Sequence, residues 1–343
     1  MKETDSKSEA SSKPKVTLIY YSSLSSFIKN DGDILSRHFP LREVNLRSIR
    51  DMPELARAIG WCDLSFIWFA GKHAVPAVAL SKAFSKRSMI IAGGYDVAFE
   101  PEMKYGQFTL GWNERANARF ALNNADAVLA VSKFTKGEAL KRSSPRNISV
   151  VYNGIDTVRF RPGGKKENLV LTVAAKGSTK NMVRLKGVDT FIGAAASVPE
   201  ARFEVVGLRE EDISGEVNIP ENVDLLGRLD QEHLIDRYQR AKVCCQLSFV
   251  ESFGVALAES MACGCVPVAT QRGALPEIVG DAGFYVPFGD VKRAAEGIRI
   301  ALKSDSLKPD LSERARDRIE AYFTQEKREK ELTQVIHALC RDL

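Results

Sequence analysis

The sequence predicts an α/β fold in which two doubly wound, Rossmann-like domains face each other across a cleft. Its 343 residues suit two domains of about 150 residues each better than a single core. Short apolar runs alternate with longer amphipathic stretches, which is the pattern of buried parallel strands joined by helices. The alternation stops at the Pro/Gly-rich linker 161–164 and then begins again. Because such sheets bind ligands beyond the carboxyl ends of their strands, the cleft is the expected site.

The first half, residues 14–160, is predicted to form one of these domains. Apolar runs indicate strands at 16–21, 64–69, 89–92, 127–131 and 148–152. Amphipathic composition indicates helices near 33–39, 74–84, 112–123 and 134–142. Residues 1–13 are polar, and we expect them to form a disordered tail.

The second half repeats the pattern over residues 165–309. Strands are predicted at 169–174, 202–206, 223–226, 243–247 and 266–269. The tail, residues 310–343, is charged and predicts one helix followed by another, packing back across the domains.

The composition is that of a soluble globular protein, with 44% hydrophobic and 27% charged residues. No apolar stretch reaches the ~18 to 20 residues that span a bilayer, and the N-terminus does not resemble a signal peptide. The six cysteines lie in apolar runs without paired CxxC units. We therefore expect buried thiols, neither a zinc site nor disulfides, and a cytoplasmic location.

Charge is unevenly distributed between the two halves. Residues 14–160 carry 20 Lys and Arg against 13 Asp and Glu, whereas residues 161–343 carry 26 against 28. The basic first half is compatible with peripheral contact to anionic lipid headgroups, with an anionic acceptor, or with an ordinary solvated surface. Nucleic acid is a less suitable partner, because no basic strand with interleaved aromatic residues and no recognition helix is present.

Two carboxylates, Glu251 and Glu259, are separated by seven residues around a Phe-Gly step. Ser252 is predicted to cap a helix over 255–263 that ends before Gly264. Two Glu at this spacing are also common on solvated helix faces. Here, however, a helix start lies between them and they are about 12 Å apart along the axis, which suits an elongated ligand containing phosphate. No GxGxxG follows the first strand and no Walker loop is present, so this helix start, with lysines, is the remaining way to hold a phosphate.

Several segments form an ordered series of motifs between about residues 110 and 290. They are 125–132, 151–156, Lys186 to Asp189, Val223 to Arg228, Ser248 to Val268 with the Glu pair, and Arg272 to Glu277. In this order they resemble glycosyltransferase family 4, a large group of retaining sugar-nucleotide transferases. The resemblance implies the GT-B fold, in which two Rossmann-like domains enclose the donor in their cleft.

The resemblance also implies roles for the residues that match the family's motifs. Glu251 would contact the hydroxyls of the donor sugar, Glu259 the ribose hydroxyls, and Lys186 the diphosphate. A second basic residue normally precedes this lysine, and three candidates compete for that role: Lys176, Lys180 and Arg184. Further donor contacts are implied for the helix start and for the loop beside the base: Ser252, Phe253, Gly254, Val255, Arg228 and Leu229.

The first half departs from the family pattern. The loop after the first strand carries the hydroxyls of residues 22–26 instead of the usual glycines. Where many members have a His-Asp step, this chain has Tyr95 and Asp96. Asp96 either hydrogen-bonds the acceptor or the sugar, or caps the next turn; His73 either faces the cleft or is structural. The candidate catalytic residues are therefore Glu251, Lys186, Asp96 and His73.

The expected activity is retaining transfer of a hexose-type sugar from a nucleotide diphosphate sugar to a glycan, lipid-linked or small-molecule hydroxyl. The resemblance implies that the leaving phosphate accepts the proton of the acceptor on the same face of the sugar. No resident cofactor and no metal ion are expected, and the sequence contains no Asp-x-Asp motif. The alternatives are a sugar-nucleotide epimerase or a phosphorylase on a similar fold, and a catalytically silent nucleotide-sugar-binding protein or membrane-docked scaffold.

Overall fold

The computed structural model describes residues 13–21, 24–174, 181–213, 215, 217–303 and 311–341. The predicted tail, apart from Lys13, lies outside the described residues, as do Ser22 and Ser23 of the first loop.

The first domain contains a six-stranded parallel sheet in the order β2-β1-β3-β4-β5-β6. Its elements are β1 (Val16–Tyr20), α1 (Ser26–His38), β2 (Leu41–Asn45), α2 (Met52–Trp61), β3 (Leu64–Trp68), α3 (Ala74–Ala83), β4 (Arg87–Ala92), α4 (Trp112–Asn124), β5 (Ala127–Ala130), α5 (Lys133–Arg142) and β6 (Ile148–Val150). The inner strands β1, β3 and β5 are buried throughout, because helices cover both faces of the sheet.

The second domain repeats this architecture with a parallel sheet in the order β12-β11-β10-β7-β8-β9. Its elements are β7 (Glu167–Val173), α6 (Met182–Leu185), α7 (Val188–Ala195), β8 (Arg202–Val206), α8 (Glu210–Ile213), β9 (Val223–Gly227), α9 (Gln231–Arg240), β10 (Ala241–Gln246), α10 (Val255–Ala262), β11 (Val266–Thr270), α11 (Leu275–Val279), β12 (Phe284–Val286) and α12 (Val291–Leu302). The strand order reverses between β10 and β7, and this switch point opens toward the first domain.

Two C-terminal helices, α13 (Leu311–Tyr322) and α14 (Gln325–Leu339), follow the second domain. Helix α13 contacts α10 of the second domain, whereas α14 contacts α1 of the first. Arg328 of α14 forms a buried ion pair with Asp31 of α1 at 2.6 Å, and the Trp68 indole also donates to Asp31. Removing one partner would leave the other charge buried and unpaired, at a cost of about 3–5 kcal/mol. The chain end is therefore tied firmly to the first domain.

These sheets confirm the predicted fold class, although three elements were missed and one was misplaced. Helix α1 begins at Ser26 and not near residue 33. The prediction missed its first two turns because polar residues and a glycine interrupt the apolar pattern there. Strands β2 and β12 lie at the outer edges of their sheets and are only partly buried, so they lack the apolar runs of inner strands. Helix α2 carries Pro53 in its first turn, where proline is tolerated although it usually marks a break.

Candidate functional site

A cavity of about 430 Å³ lies in the cleft, at the carboxyl ends of both sheets. Phe69 and Tyr95, which follow β3 and β4, line it from the first domain. The structure brings these predicted residues of the second domain together in its wall: Lys186, Glu251, Ser252, Phe253, Gly254, Val255 and Glu259. Cavities of this size suit a small-molecule ligand.

The start of helix α10 forms one wall of this cavity. Its N-cap is Gly254, with φ of +88°, and no side chain caps the helix. The prediction of Ser252 as the cap was therefore wrong: the chain enters the helix through a left-handed residue, which glycine adopts without strain. The first helical hydrogen bond runs from Ala258 N–H to Gly254 O, so the preceding amides lie at an uncapped, electropositive end. Such an end favours a bound phosphate.

Lys186 and Glu251 form an ion pair in the same wall. The Lys186 Nζ lies 2.6 Å from Glu251 Oε1, which also accepts hydrogen bonds from Gln246 Nε2 and Ser248 Oγ, each at 3.0 Å. Among the described residues nothing hydrogen-bonds Glu251 Oε2. One carboxylate oxygen is thus held by three donors, while the other remains able to accept from a ligand hydroxyl.

The position of Lys186 depends on the glycine that follows it. Gly187 has φ of +67°, and a Cβ there would lie 2.0 Å from the carbonyl oxygen of Leu247. Any other residue would push α6 and Lys186 away from the end of β10. Glycine therefore allows the close approach that brings the ammonium group to Glu251.

Glu259 lies in the second turn of α10, deeper in the cavity. Tyr238, which is fully buried, donates its hydroxyl to Glu259 Oε2 at 3.3 Å. Burial raises the pKa of Glu259 to about 7, although this hydrogen bond and nearby Arg159 both lower it. Glu259 is therefore a carboxyl group whose charge changes near neutral pH.

Asp96 and His73 line a second cavity, of about 420 Å³, at the carboxyl end of the first domain's sheet. Asp96 is buried and accepts hydrogen bonds from the backbone N–H groups of Ala70 and Gly94, at 2.9 and 2.8 Å. Burial raises its pKa to about 6, and these hydrogen bonds lower it. In this structure Asp96 ties together the loops that follow β3 and β4.

The two domains meet directly beside the first cavity. A Cβ on Gly94, whose φ is +122°, would lie 1.6 Å from the Ser252 Oγ of the opposite domain. Glu277 of α11 accepts hydrogen bonds from the N–H groups of Lys133 and Phe134, at 2.8 and 2.7 Å, and from Tyr152 Oη at 3.0 Å. A carboxylate of the second domain therefore caps α5 of the first, where the helix dipole favours negative charge.

Of the remaining predicted donor residues, the three that the structure describes, Arg228, Leu229 and Arg184, do not line the 430 Å³ cavity. Arg228 is exposed, and Leu229 packs against the hydrophobic core. Arg184 is exposed and lines a separate surface cavity with Asp189. Lys176 and Lys180 lie outside the described residues. Their roles stay predictions.

Sequence reasoning missed several residues of the site. Gln246, at the end of β10, was predicted only as part of a strand, and Ser248 was included in a motif but received no role; both hold Glu251. Glu277 was included in a motif but received no role. Phe69, which lines both cavities, has φ of +69°, a strained conformation for an aromatic residue that no sequence pattern signals.

Three further features of the described residues bear on function. None of their His, Cys, Asp and Glu side chains form a group of three or more that could hold a metal ion. Their helices are all too short or too polar to cross a membrane. All six cysteines are free, and all but Cys340 are buried.

Two protein-family models together match most of the sequence. Residues 14–159 match the model of Glycosyltransferase Family 4, and residues 160–318 match that of Glycosyl transferases group 1.

Related proteins are similar over different shares of the chain. The N-acetyl-alpha-D-glucosaminyl L-malate synthase of Bacillus anthracis is 26% identical over 306 residues, 82% of this chain and 76% of that protein. A phosphatidylinositol N-acetylglucosaminyltransferase component of Arabidopsis thaliana is 25% identical over 55% of this chain and 44% of its own length. The D-inositol 3-phosphate glycosyltransferase of Mycolicibacterium gilvum is 31% identical over 42% of this chain. The chain spans only 36% of that last protein's length.

Solved structures share the fold at low sequence identity. Sucrose-phosphate synthase from Thermosynechococcus elongatus has a TM-score of 0.76 at 17% identity, covering 96% of this chain and 100% of that chain. Anabaena HepE in complex with UDP has a TM-score of 0.77 at 15% identity, covering 94% and 100%.

The two facing sheets and the cleft between them define a glycosyltransferase of the GT-B type. The family models together cover residues 14–318, and the chain belongs to glycosyltransferase family 4.

Proposed function

We propose that this glycosyltransferase takes its sugar from a nucleotide diphosphate sugar and transfers it, with retention of configuration, to a hydroxyl acceptor. The observation that carries the proposal is the ion pair of Lys186 and Glu251, at 2.6 Å, beside the uncapped start of helix α10. A cation, a free carboxylate oxygen and unpaired helix amides together suit a sugar diphosphate. The complexes of Anabaena HepE with UDP and UDP-glucose, on the same fold, support this donor class.

In the proposed reaction the acceptor hydroxyl oxygen bonds to the anomeric carbon as the bond from that carbon to the diphosphate oxygen breaks. Negative charge builds on the leaving diphosphate, so Lys186 and the amides of α10 stabilise the transition state more than the ground state. A donor of this kind contributes about 2.7–4 kcal/mol. The hydroxyl proton passes to the leaving diphosphate on the same face of the sugar. No step in this scheme requires a metal ion or a resident cofactor.

The two glutamates act as anchors in this scheme and not as acid or base. Glu251 Oε2 accepts from hydroxyls of the donor sugar, while Oε1 stays bound to Lys186. Glu259, one turn into α10 and next to Tyr238, accepts from the ribose hydroxyls. Both contacts use carboxylate oxygens as acceptors, which suits vicinal hydroxyls.

A cytoplasmic location and a membrane contact through the basic first half stay predictions. Some basic residues of the first half already form ion pairs within the protein: Arg37 pairs with Glu329, and Arg87 pairs with Asp126. Those groups contribute less free positive charge to the surface than the sequence suggests.

The proposal is tested by incubating the full chain with UDP-, GDP- and ADP-sugars and a panel of acceptors, and measuring nucleotide diphosphate release. Lys186→Met should lower kcat by about 10²- to 10³-fold, since a charged donor to the leaving group is lost. Lys330→Met, on an exposed part of α14, is the matched control and should leave kcat unchanged. NMR of the product should show the anomeric configuration of the donor.

Other results would contradict the proposal. Tight binding of the donor, with no release of nucleotide diphosphate in the presence of any acceptor, would indicate a catalytically silent binding protein. An epimerised sugar nucleotide formed without acceptor would indicate an epimerase. Full activity of a folded Lys186→Met protein would exclude this residue from the diphosphate site.

A further inference from the structure

Asn153 is a buried residue in the wall of the 430 Å³ cavity, and its side-chain amide has no hydrogen-bond partner among the described residues. The residue is 7% exposed. Its Oδ1 is fully enclosed, whereas Nδ2 is not, so Nδ2 is the amide atom that a ligand can reach. Buried amides are nearly always paired, because an unpaired one gives up its hydrogen bonds to water and gains none in exchange. Asn153 is thus a polar group whose partner the described protein does not supply.

The surrounding backbone does not need the Asn153 amide. Arg328 of α14 already donates to the carbonyl oxygens of Val151 and Tyr152, at 3.1 and 2.8 Å. Asn222 shows what a structural asparagine does in this fold, since its Nδ2 lies within 3.0–3.2 Å of three backbone carbonyl oxygens. Asn153 makes no such bond. An apolar side chain of the same size would therefore serve a purely structural role at least as well.

The chain passes between the domains twice, and the two crossings meet next to Asn153. The Ile155 N–H of the first crossing donates to the Phe323 carbonyl oxygen of the second at 2.8 Å, and the Gln325 N–H donates back to Ile155 at 3.0 Å. A Cβ on Gly154 would lie 2.6 Å from the Cα of Gln325, so glycine permits this approach. Close packing of the crossings explains the glycine of the Asn-Gly pair and leaves the asparagine to another purpose.

Asn153 enters the cavity close to the start of helix α10. The ring of its neighbour Tyr152 lies 6.3 Å from the ring of Phe253, between centroids, and Phe253 immediately precedes the N-cap Gly254. Phe253 and Gly254 line the same cavity as Asn153. An uncharged N–H donor at this place suits an oxygen of an anion that the helix start and Lys186 attract.

We propose that the Asn153 amide donates a hydrogen bond to the diphosphate of the bound nucleotide sugar, and that this contact holds the two interdomain crossings in place while the donor is bound. This inference rests on the proposed function. The residues to which that function assigns a donor contact, Lys186, Glu251, Glu259 and the start of α10, all belong to the second domain. Asn153 adds a contact from the connection between the domains, in which no covalent bond changes and no proton is transferred.

The test measures binding of UDP, GDP and ADP and of their three parent nucleosides to the full chain, by calorimetry for the diphosphates and saturation-transfer NMR for the nucleosides. Asn153→Leu keeps the volume of the side chain and removes the amide. It should weaken binding of the preferred diphosphate by about 10- to 100-fold, the range for a hydrogen bond to a charged group. Binding of the parent nucleoside should not change.

The stability of the ligand-free proteins separates this role from a structural one. Because Asn153→Leu removes an unpaired buried amide, its midpoint of urea unfolding should equal or exceed that of the wild type. Asn153→Asp keeps the shape but replaces the N–H donor with a negative charge, and should bind the diphosphate at least as weakly as Asn153→Leu. Asn113→Leu, at an exposed position of α4, is the matched control and should bind both ligands as the wild type does.

Hydrogen exchange measures the effect on the crossings. A saturating diphosphate should slow exchange of the Ile155 and Gln325 amides in the wild type, because a bound phosphate restrains Asn153 next to them. Asn153→Leu should lose this protection even when the diphosphate saturates it. Since both proteins are then fully occupied, the difference is independent of affinity.

Equal diphosphate affinity of the wild type and Asn153→Leu, an equal loss with the nucleoside, or a lower urea midpoint of ligand-free Asn153→Leu would overturn the inference. Unchanged protection of Ile155 and Gln325 in saturated Asn153→Leu would overturn its second part. A wild type that binds diphosphate through Asn153 but transfers no sugar would count against the proposed function alone. A wild type that transfers sugar, with no loss of diphosphate affinity in Asn153→Leu, would count against the inference alone.

Discussion

Replacing Glu259 with Gln removes a carboxyl group whose pKa burial raises from 4.5 to about 7. The folded chain therefore holds this proton over a pH range in which the unfolded chain has released it. Since stability falls with pH wherever the folded state binds more protons, Glu259 should destabilise the protein progressively between about pH 4.5 and 7. The glutamine of the variant stays neutral at every pH and still offers an oxygen to Tyr238.

The size of the effect follows from the pKa. At 1.36 kcal/mol per pKa unit, the raised pKa lowers the free energy of unfolding of the wild type by about 3 kcal/mol above pH 7. Below pH 4.5 it has no effect, because Glu259 is protonated in both the folded and the unfolded chain. Because part of the Glu259 carboxyl faces the cavity, this value is an upper limit. At about 2–4 °C per kcal/mol, the variant should melt up to about 6–12 °C above the wild type at neutral pH.

The assay is a series of thermal melts of both proteins between about pH 4.5 and 8. Asp96, whose pKa is also raised, is present in both proteins, so its contribution cancels in the difference. The gap in Tm should widen steadily with pH. A gap that does not change with pH, or one that narrows as the pH rises, would refute the reasoning.

Nucleotide binding gives a second measurement on the same group. In the proposed donor site the ribose hydroxyls donate to the ionised form of Glu259, so UDP should lower the pKa of Glu259 and release protons between about pH 6 and 7. Calorimetry in two buffers of different ionisation enthalpy measures this release. The variant should release fewer protons and bind UDP more weakly.

Three other changes have specific expected outcomes. Lys186→Met should lower kcat more than it weakens nucleotide binding, because the diphosphate gains negative charge as it leaves. Calorimetry measures the change in affinity and steady-state kinetics the change in kcat, and the ratio of the two changes tests this. Glu277→Gln should destabilise the protein by about 1–3 kcal/mol in urea unfolding, because a neutral amide caps α5 poorly. Gly94→Ala should prevent the observed contact with Ser252 and raise the radius of gyration measured by X-ray scattering, and an unchanged radius would contradict it.

Much of the fold could be predicted because parallel strands buried on both faces are apolar along their whole length. Strand β8 was predicted with its observed bounds, and α5 to within one residue. The edge strands β2 and β12 were missed because one side of each lacks a partner and their side chains are partly exposed. Residue propensity and hydrophobic periodicity therefore predict the inner strands and the helices packed on them well, and the edge strands of a sheet poorly.

The position of Glu251 and Glu259 in one cavity wall could be predicted because these two residues are close in sequence. Glu251 and Glu259 belong to one helix and the loop before it, so local spacing brings them near each other. The partners of Glu251 could not be predicted in the same way. Lys186 is 65 residues away, and only the approach of Gly187 to Leu247 brings it within 2.6 Å.

The geometry of the first domain depends on contacts that local patterns do not record. The strained Phe69 separates the two cavities, and Glu277 reaches from the second domain to cap a helix of the first. Both sets of contacts hold the 430 Å³ cavity and the neighbouring 420 Å³ cavity at a fixed spacing. Reacting groups lose rate steeply when displaced by about 1 Å. Glu277 should therefore influence the reaction without touching either substrate, because it holds the two halves of the site at the spacing at which an acceptor can meet the sugar.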